Sequence, residues 1–168
     1  AKEGGVTGVA SATAIYNELM KEHPDELATL CEGFYFHLFE EQENRRYLVT
    51  KHKVPIFSMK DGYLSVTYLR SYIEMAFAEG VDKTLAEQTA LDTMDKVAHG
   101  PRCFQQFMVD PGEILLLNNL SVLHSRTAFE DGDDPNEQRH VLRLWLKAHN
   151  TRPLVYDILV YIMRDGIP

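Results

Sequence analysis

Two arginines four residues apart, Arg139 and Arg143, are the side chains best placed by type and spacing to bind an acid. They fall in an apolar run read as a long strand, Arg139 to Lys147. Strand alternation puts Arg139, Val141, Arg143 and Trp145 on one face and His140, Leu142, Leu144 and Leu146 on the other. The second face is apolar and wants a core. Guanidinium groups on a partly buried face need an anionic partner, because unpaired buried charge is costly, and planar carboxylates fit their fork best. Internal Asp or Glu side chains satisfy that pattern, and so does a bound acid. His124 ends a strand read at Leu120 to Ser125, on the face of Leu120 and Val122, where a histidine is either a hydrogen-bonded core residue or a metal ligand. His23-Pro24-Asp25 has the His-x-Asp spacing of a facial metal site. It sits, however, at a proline break between exposed helical segments, flanked by Lys21, Glu22 and Glu26. His52, between Lys51 and Lys53, reads as part of a solvated turn, and His99, ahead of Gly100-Pro101, as an electrostatic cap on a helix C-terminus. There is no Gly-x-Ser-x-Gly elbow, Walker loop or Gly-x-Gly-x-x-Gly, so neither a hydrolase nor a transferase has a nucleophile motif behind it.

The elements that must carry these residues are short. Ala14, Ile15, Leu19 and Met20 recur at helical spacing within Ala10 to Leu30, with Ser11 or Thr13 as cap and Pro24 as a break and restart. Phe34 to Thr67 is strand and turn, punctuated by Pro55 and Asp61-Gly62. Leu69 to Ala78 is ambiguous, and Thr84 to His99 reads as a second helix. Beyond it, Phe104 to Val109, Glu113 to Leu117 and Leu120 to Ser125 are strand candidates, with a polar loop from Thr127 to Gln138 leading into the arginine strand. The texture is mixed α/β, mainly β, around an antiparallel sheet or barrel.

At 168 residues a single domain, 1–168, is expected, long enough to bury a real core. Apolar residues at 45% and charged ones at 25% describe a globular protein rather than a disordered or collagenous one. A net charge of -8 disfavours a nucleic-acid partner. No apolar run spans a bilayer, and Lys2-Glu3 leading into glycines is not a signal peptide. Cys31 and Cys103, without Cys-x-x-Cys spacing, read as two buried thiols of a cytoplasmic protein.

Three segments, taken together, resemble the iron(II)/2-oxoglutarate oxygenases related to taurine dioxygenase, the TauD/TfdA family. Gly4-Gly5-Val6-Thr7, running into Ala10-Ser11-Ala12-Thr13-Ala14-Ile15-Tyr16, looks like that family's Gly-Gly-x-Thr segment. Pro111-Gly112-Glu113, Asn118-Asn119 and Leu123-His124-Ser125-Arg126, with Phe129 and Asp131, resemble its distal histidine region. Arg139 to Leu146 resembles its 2-oxoglutarate-binding strand. The resemblance implies a double-stranded β-helix (jelly roll, clavaminate synthase-like) with flanking helices. It implies iron(II) and 2-oxoglutarate as cofactors and hydroxylation of a C–H bond of a small organic substrate, with molecular oxygen consumed and succinate and CO2 released. His124 is then the distal iron ligand, Thr7 and Arg139 hold the distal carboxylate of 2-oxoglutarate, and Arg143 touches the co-substrate or an acidic group of the substrate. The family's His-x-Asp/Glu pair precedes the Gly-Gly-x-Thr segment, but only six residues precede Thr7 here, none of them His. The chain also opens at Ala1 rather than Met. It is therefore expected to be the C-terminal portion of an oxygenase whose N-terminal strands and remaining ligands lie outside it. The alternatives are a truncated product, a site completed by another chain, and a non-catalytic jelly-roll module that binds a small carboxylic acid. The tail after Leu146, with Arg152, Tyr156, Asp157, Tyr161 and Arg164, has the composition of a lid, a homo-oligomer contact or plain surface.

Overall fold

The computed structural model describes residues 1–38, 48–134, 138–146 and 151–158. The chain begins with two strands in line, β1 (Glu3–Gly4) and β2 (Thr7–Ser11), and turns into α1 (Ala12–Glu22). Ser11 starts that helix by accepting the Ala14 N–H at 3.3 Å on its hydroxyl. Pro24 then opens α2 (Pro24–Glu32), because a residue without an N–H is tolerated in the first helical turn but not in the interior of a continuing helix. Lys60 and Tyr63 flank Asp61-Gly62, both at positive φ (50° and 81°), the geometry of a two-residue hairpin turn joining β3 (Phe57–Lys60) to β4 (Tyr63–Val66).

The ambiguous stretch is helical, α3 (Arg70–Ala78), and α4 (Leu85–Ala98) follows. Thr84 and Glu87 form a reciprocal capping box at the start of α4: the Thr84 hydroxyl accepts the Glu87 N–H at 3.1 Å, and the Glu87 carboxylate accepts the Thr84 N–H at 3.0 Å. Lys53 adds an ion pair to Glu87 at 2.9 Å. Three further strands complete the described elements: β5 (Phe104–Phe107), β6 (Val122–Arg126) and β7 (Phe129–Glu130).

One core holds the helices and the sheet together. Ile15 and Leu19 of α1, Leu27 and Leu30 of α2, and Leu91 and Met94 of α4 pack with Phe34, Ile56, Phe57 and Ala10. The three-stranded sheet, in the order β5-β2-β6, is antiparallel throughout, with Ala10 paired to Phe104 and to Leu123. Because paired residues share a face, Ala10, Phe104 and Leu123 turn toward the helices, while Thr7, Val9, Gln105, Phe107, His124 and Arg126 occupy the opposite face.

Several sequence expectations change. Among the described residues, helix outweighs strand, so the chain is mixed α/β with several antiparallel sheets rather than mainly β. Glu113 to Leu117 and the described part of the arginine strand, residues 139–146, are irregular; Lys147 lies outside the described residues. Their apolar side chains are in solvent, with Ile114 86% and Leu144 80% exposed. A strand exists only against a ladder partner, and among the described residues none lies beside either segment. The strand read from Leu120 begins instead at Val122, since Asn118 draws Leu120 and Ser121 into a turn: its side-chain oxygen accepts from Leu120 N–H at 3.0 Å and its carbonyl from Ser121 N–H at 2.9 Å. Both cysteines are free, and Cys31 is exposed rather than buried. Among the described residues no helix is long and apolar enough to cross a membrane.

Candidate functional site

The site is built on a ribbon that joins the segment from Glu3 to Ser11 to the segment from Val122 to Glu130. β1 pairs with β7 (Gly4 to Phe129) and β2 pairs with β6 (Thr7 to Arg126, Val9 to His124) in a single antiparallel register. Between the two ladders the backbone stays paired: Gly5 N–H donates to Ala128 at 3.1 Å, Thr127 N–H to Val6 at 2.9 Å, and Val6 N–H to the Thr127 hydroxyl at 3.0 Å. Gly4 makes this approach possible. Its φ is +74°, and a Cβ there would stand 2.1 Å from the Ala128 carbonyl oxygen.

Thr7 is buried, and its direct cross-strand neighbour is Arg126. His124 lies one pair along the same face. Its position two residues from Arg126, in a His-x-Arg pattern, already put both on one side of a strand. That side faces away from the helical core, so His124 is not the core histidine that its apolar neighbours suggested, and Leu123 packs inward instead. His124 is exposed on that side, yet the protein around it withdraws enough water to lower its pKa below the ordinary imidazole value, and the charge of Arg143 lowers it further. Both effects favour the neutral ring, the form that binds metals. They also put Arg143 within electrostatic reach of His124, although Arg143 itself is exposed on an irregular segment.

Arg139 is half-buried against Gly5: a Cβ at Gly5 would meet its Cδ and Nε, each at 3.5 Å. The Arg139 N–H donates to Asp131 Oδ1 at 2.7 Å, which fixes the backbone at the point where the chain returns to the ribbon. Its guanidinium carbon lies 5.5 Å from the centre of the Phe129 ring, and that of Arg126 lies 4.3 Å from the same centre. Among the described residues, neither guanidinium has an ion pair with a carboxylate. Gly4, Gly5, Arg126 and Arg139 are thus brought together around Phe129.

A sequence profile of the taurine catabolism dioxygenase TauD, TfdA family matches residues 1–145. The chain belongs to this family. It is 33% identical over 156 residues to FR-33289 synthase of Streptomyces rubellomurinus (strain ATCC 31215), an alignment covering 90% of this chain and 45% of that protein. It is 30% identical over 149 residues to taurine hydroxylase-like protein SAT17 of Stachybotrys chartarum (strain CBS 109288 / IBT 7711), covering 84% of this chain and 36% of that one. The chain spans less than half the length of these relatives.

The other sequence candidates of this TauD/TfdA chain have structural roles. His23 is the junction of α1 and α2, its N–H donating to Leu19 at 2.8 Å and its carbonyl accepting from Leu27 at 3.0 Å. His99 caps α4, with Nδ1 donating to the Asp95 carbonyl at 2.8 Å. His52 is half-buried rather than solvated, its Nε2 3.3 Å from the Asp157 carbonyl. In the tail, Arg152 donates to the Leu64 carbonyl, while Tyr161 and Arg164 lie outside the described residues. Sequence reasoning assigned no role to Arg126 or Phe129.

The donor set suits unequally the two cofactors that the family resemblance implies. Buried Thr7, a half-buried Arg139 guanidinium without an internal carboxylate among the described residues, and a backbone without a side chain at Gly5 suit an acid. Iron(II) does not fit in the same way. A facial site needs three side chains, and among the described residues no group of three His, Cys, Asp or Glu converges. His124 is one candidate ligand without neighbours of its kind.

Proposed function

We propose that this TauD/TfdA chain is part of an iron(II)/2-oxoglutarate-dependent dioxygenase. In that reaction one oxygen atom of O2 enters a C–H bond of a small organic substrate. The other enters succinate as 2-oxoglutarate loses CO2. The core is the double-stranded β-helix expected of such enzymes, with 1–168 as one domain of it. The reading rests on the family and on one observation above all: the Arg139 guanidinium, without an internal carboxylate among the described residues, lies against Gly5 beside the Thr7 strand, where an acid is to be held.

In this reading Arg139 pairs with the distal carboxylate of 2-oxoglutarate and Thr7 donates its hydroxyl to the same group. Arg143 supplies positive charge near His124 for the co-substrate or for an acidic substrate group. His124 is kept neutral and so presents a lone pair to the metal, which activates oxygen when it is bound. Since the described residues complete no iron site, the remaining ligands come from elsewhere in the protein. The ribbon's part is to orient the acid.

The test is anaerobic iron(II) titration of the full-length protein with and without 2-oxoglutarate, followed by succinate assay on admitting oxygen. One iron per chain, a co-substrate-dependent absorption band and succinate release are expected. Carboxylate binding without iron uptake or succinate would replace this reading with a non-catalytic acid-binding module.

A further inference from the structure

Arg126 carries more than its place in a strand requires. It is the direct cross-strand neighbour of Thr7, on the His124 face, and its guanidinium lies on the ring that Arg139 also approaches. The two guanidinium carbons are therefore no farther apart than the sum of their distances to the Phe129 centre. Arg126 spends one N–H on the Thr127 carbonyl, through Nη1 at 2.9 Å, which leaves Nη2 and Nε without a partner among the described residues. Two like charges so close to one ring repel each other, and an anion within reach of both turns that repulsion into attraction. Phe129, held by the β1–β7 ladder and touching the Gly5 position, is a rigid backing that keeps both side chains from swinging away.

We propose that Arg126 is a second cationic contact of the acid subsite, so that one carboxylate of the bound 2-oxo acid is held between the guanidiniums of Arg126 and Arg139. The inference rests on the acid-subsite reading above and adds a residue to it. It makes the subsite doubly positive, with one charge from the end of β6 and the other from the segment that returns at Arg139.

The experiment is calorimetric binding of 2-oxoglutarate to the full-length protein, iron(II)-loaded and anaerobic, for the parent, Arg126→Gln and Arg139→Gln. Arg126→Gln is expected to weaken binding about tenfold, the lower range for a hydrogen bond to a charged group, because Arg126 is exposed. Its dissociation constant should also depend less steeply on salt, while iron affinity stays at the parent value. Binding within twofold of the parent, with Arg139→Gln clearly weakened, overturns the role of Arg126 and leaves the acid subsite standing. If Arg139→Gln is also unaffected, the subsite itself is misplaced and the inference falls with it. Should Arg126→Gln fold poorly, Arg126→Lys is measured instead: a smaller loss than with Arg139→Gln supports the charge argument, and an equal or larger loss overturns it.

Discussion

Replacing Gly4 by alanine tests the ribbon that carries the whole site. The substitution meets two obstacles: φ at Gly4 is +74°, and the new Cβ would stand 2.1 Å from the Ala128 carbonyl oxygen. The first costs about 1–2 kcal/mol for a residue with a Cβ. The second cannot be relieved by a rotamer change, because the obstacle is backbone, so the strands must separate by roughly 1 Å, enough to forfeit the adjoining hydrogen bonds. Those at risk are Lys2 N–H to Glu130 at 2.8 Å and Gly5 N–H to Ala128 at 3.1 Å, together worth about 1–3 kcal/mol. The cheaper outcome is release of the β1–β7 ladder with β2–β6 left paired, which limits the stability loss to about 2 kcal/mol and the fall in Tm to roughly 4–8 °C. Gly5→Ala is the control. It has a similar φ of +79° but its nearest contact would be 3.5 Å, so it should cost about 1 kcal/mol and keep the ladder. Thermal melts give the totals, and amide exchange at Lys2 and Gly5 locates the loss. Equal effects of the two variants, or unchanged exchange in Gly4→Ala, would refute the reasoning.

Three other outcomes are expected. Arg139→Ala should weaken 2-oxoglutarate binding by at least about tenfold and iron binding hardly at all, as measured by calorimetry; equal affinity for the co-substrate would remove Arg139 from its assigned role. His124→Ala should lose metal on gel filtration, and full iron occupancy by elemental analysis would sink the ligand assignment. Glu87→Gln should cost about 1 kcal/mol at pH 7 in urea unfolding. Burial raises the Glu87 carboxyl pKa, but the Thr84 N–H, the Lys53 ammonium and the Thr84 hydroxyl outweigh it and hold the group below its usual 4.5. Because the folded pKa is depressed, this stabilisation is whole above pH 4.5 and fades as pH falls through the lower folded value, so parent and variant should converge in acid. A gap that persists at pH 2 would contradict it.

How much of this was legible in the sequence depends on how local each feature is. The break at Pro24, the Asp61-Gly62 hairpin and the start of α4 at Thr84 are written in two to four neighbouring residues, and the structure agrees with each. α3 lacks such a signal: its N-cap, Leu69, has no capping side chain, and the helix owes its existence to Ile73 and Ala76 packing inward. The segments 113–117 and 139–146 have strand composition but no strand, because composition supplies side chains for a face and not a neighbour for the backbone. At the site, alternation put His124 and Arg126 on one face but did not say which face meets the core. The shared position of Arg126 and Arg139 over Phe129 follows from a long-range register that no local pattern encodes.

That register also sets an order of events in time. Val6 and Thr127, joined by hydrogen bonds in the finished ribbon, are 121 residues apart in the chain. α1 and α2 can pack as soon as they emerge from the ribosome, and α4 can join them, since their contacts need nothing beyond Ala98. Thr7 precedes all three helices, yet it has no partner on the β6 side until nearly everything between has been synthesised. Closing so long a loop is entropically costly and slow, and the helical layer shortens it by bringing β2 and β5 together first. The ribbon, and with it the proposed acid subsite, is thus assembled last, and a nascent chain stalled before β6 would leave the β6 side of β2 unpaired.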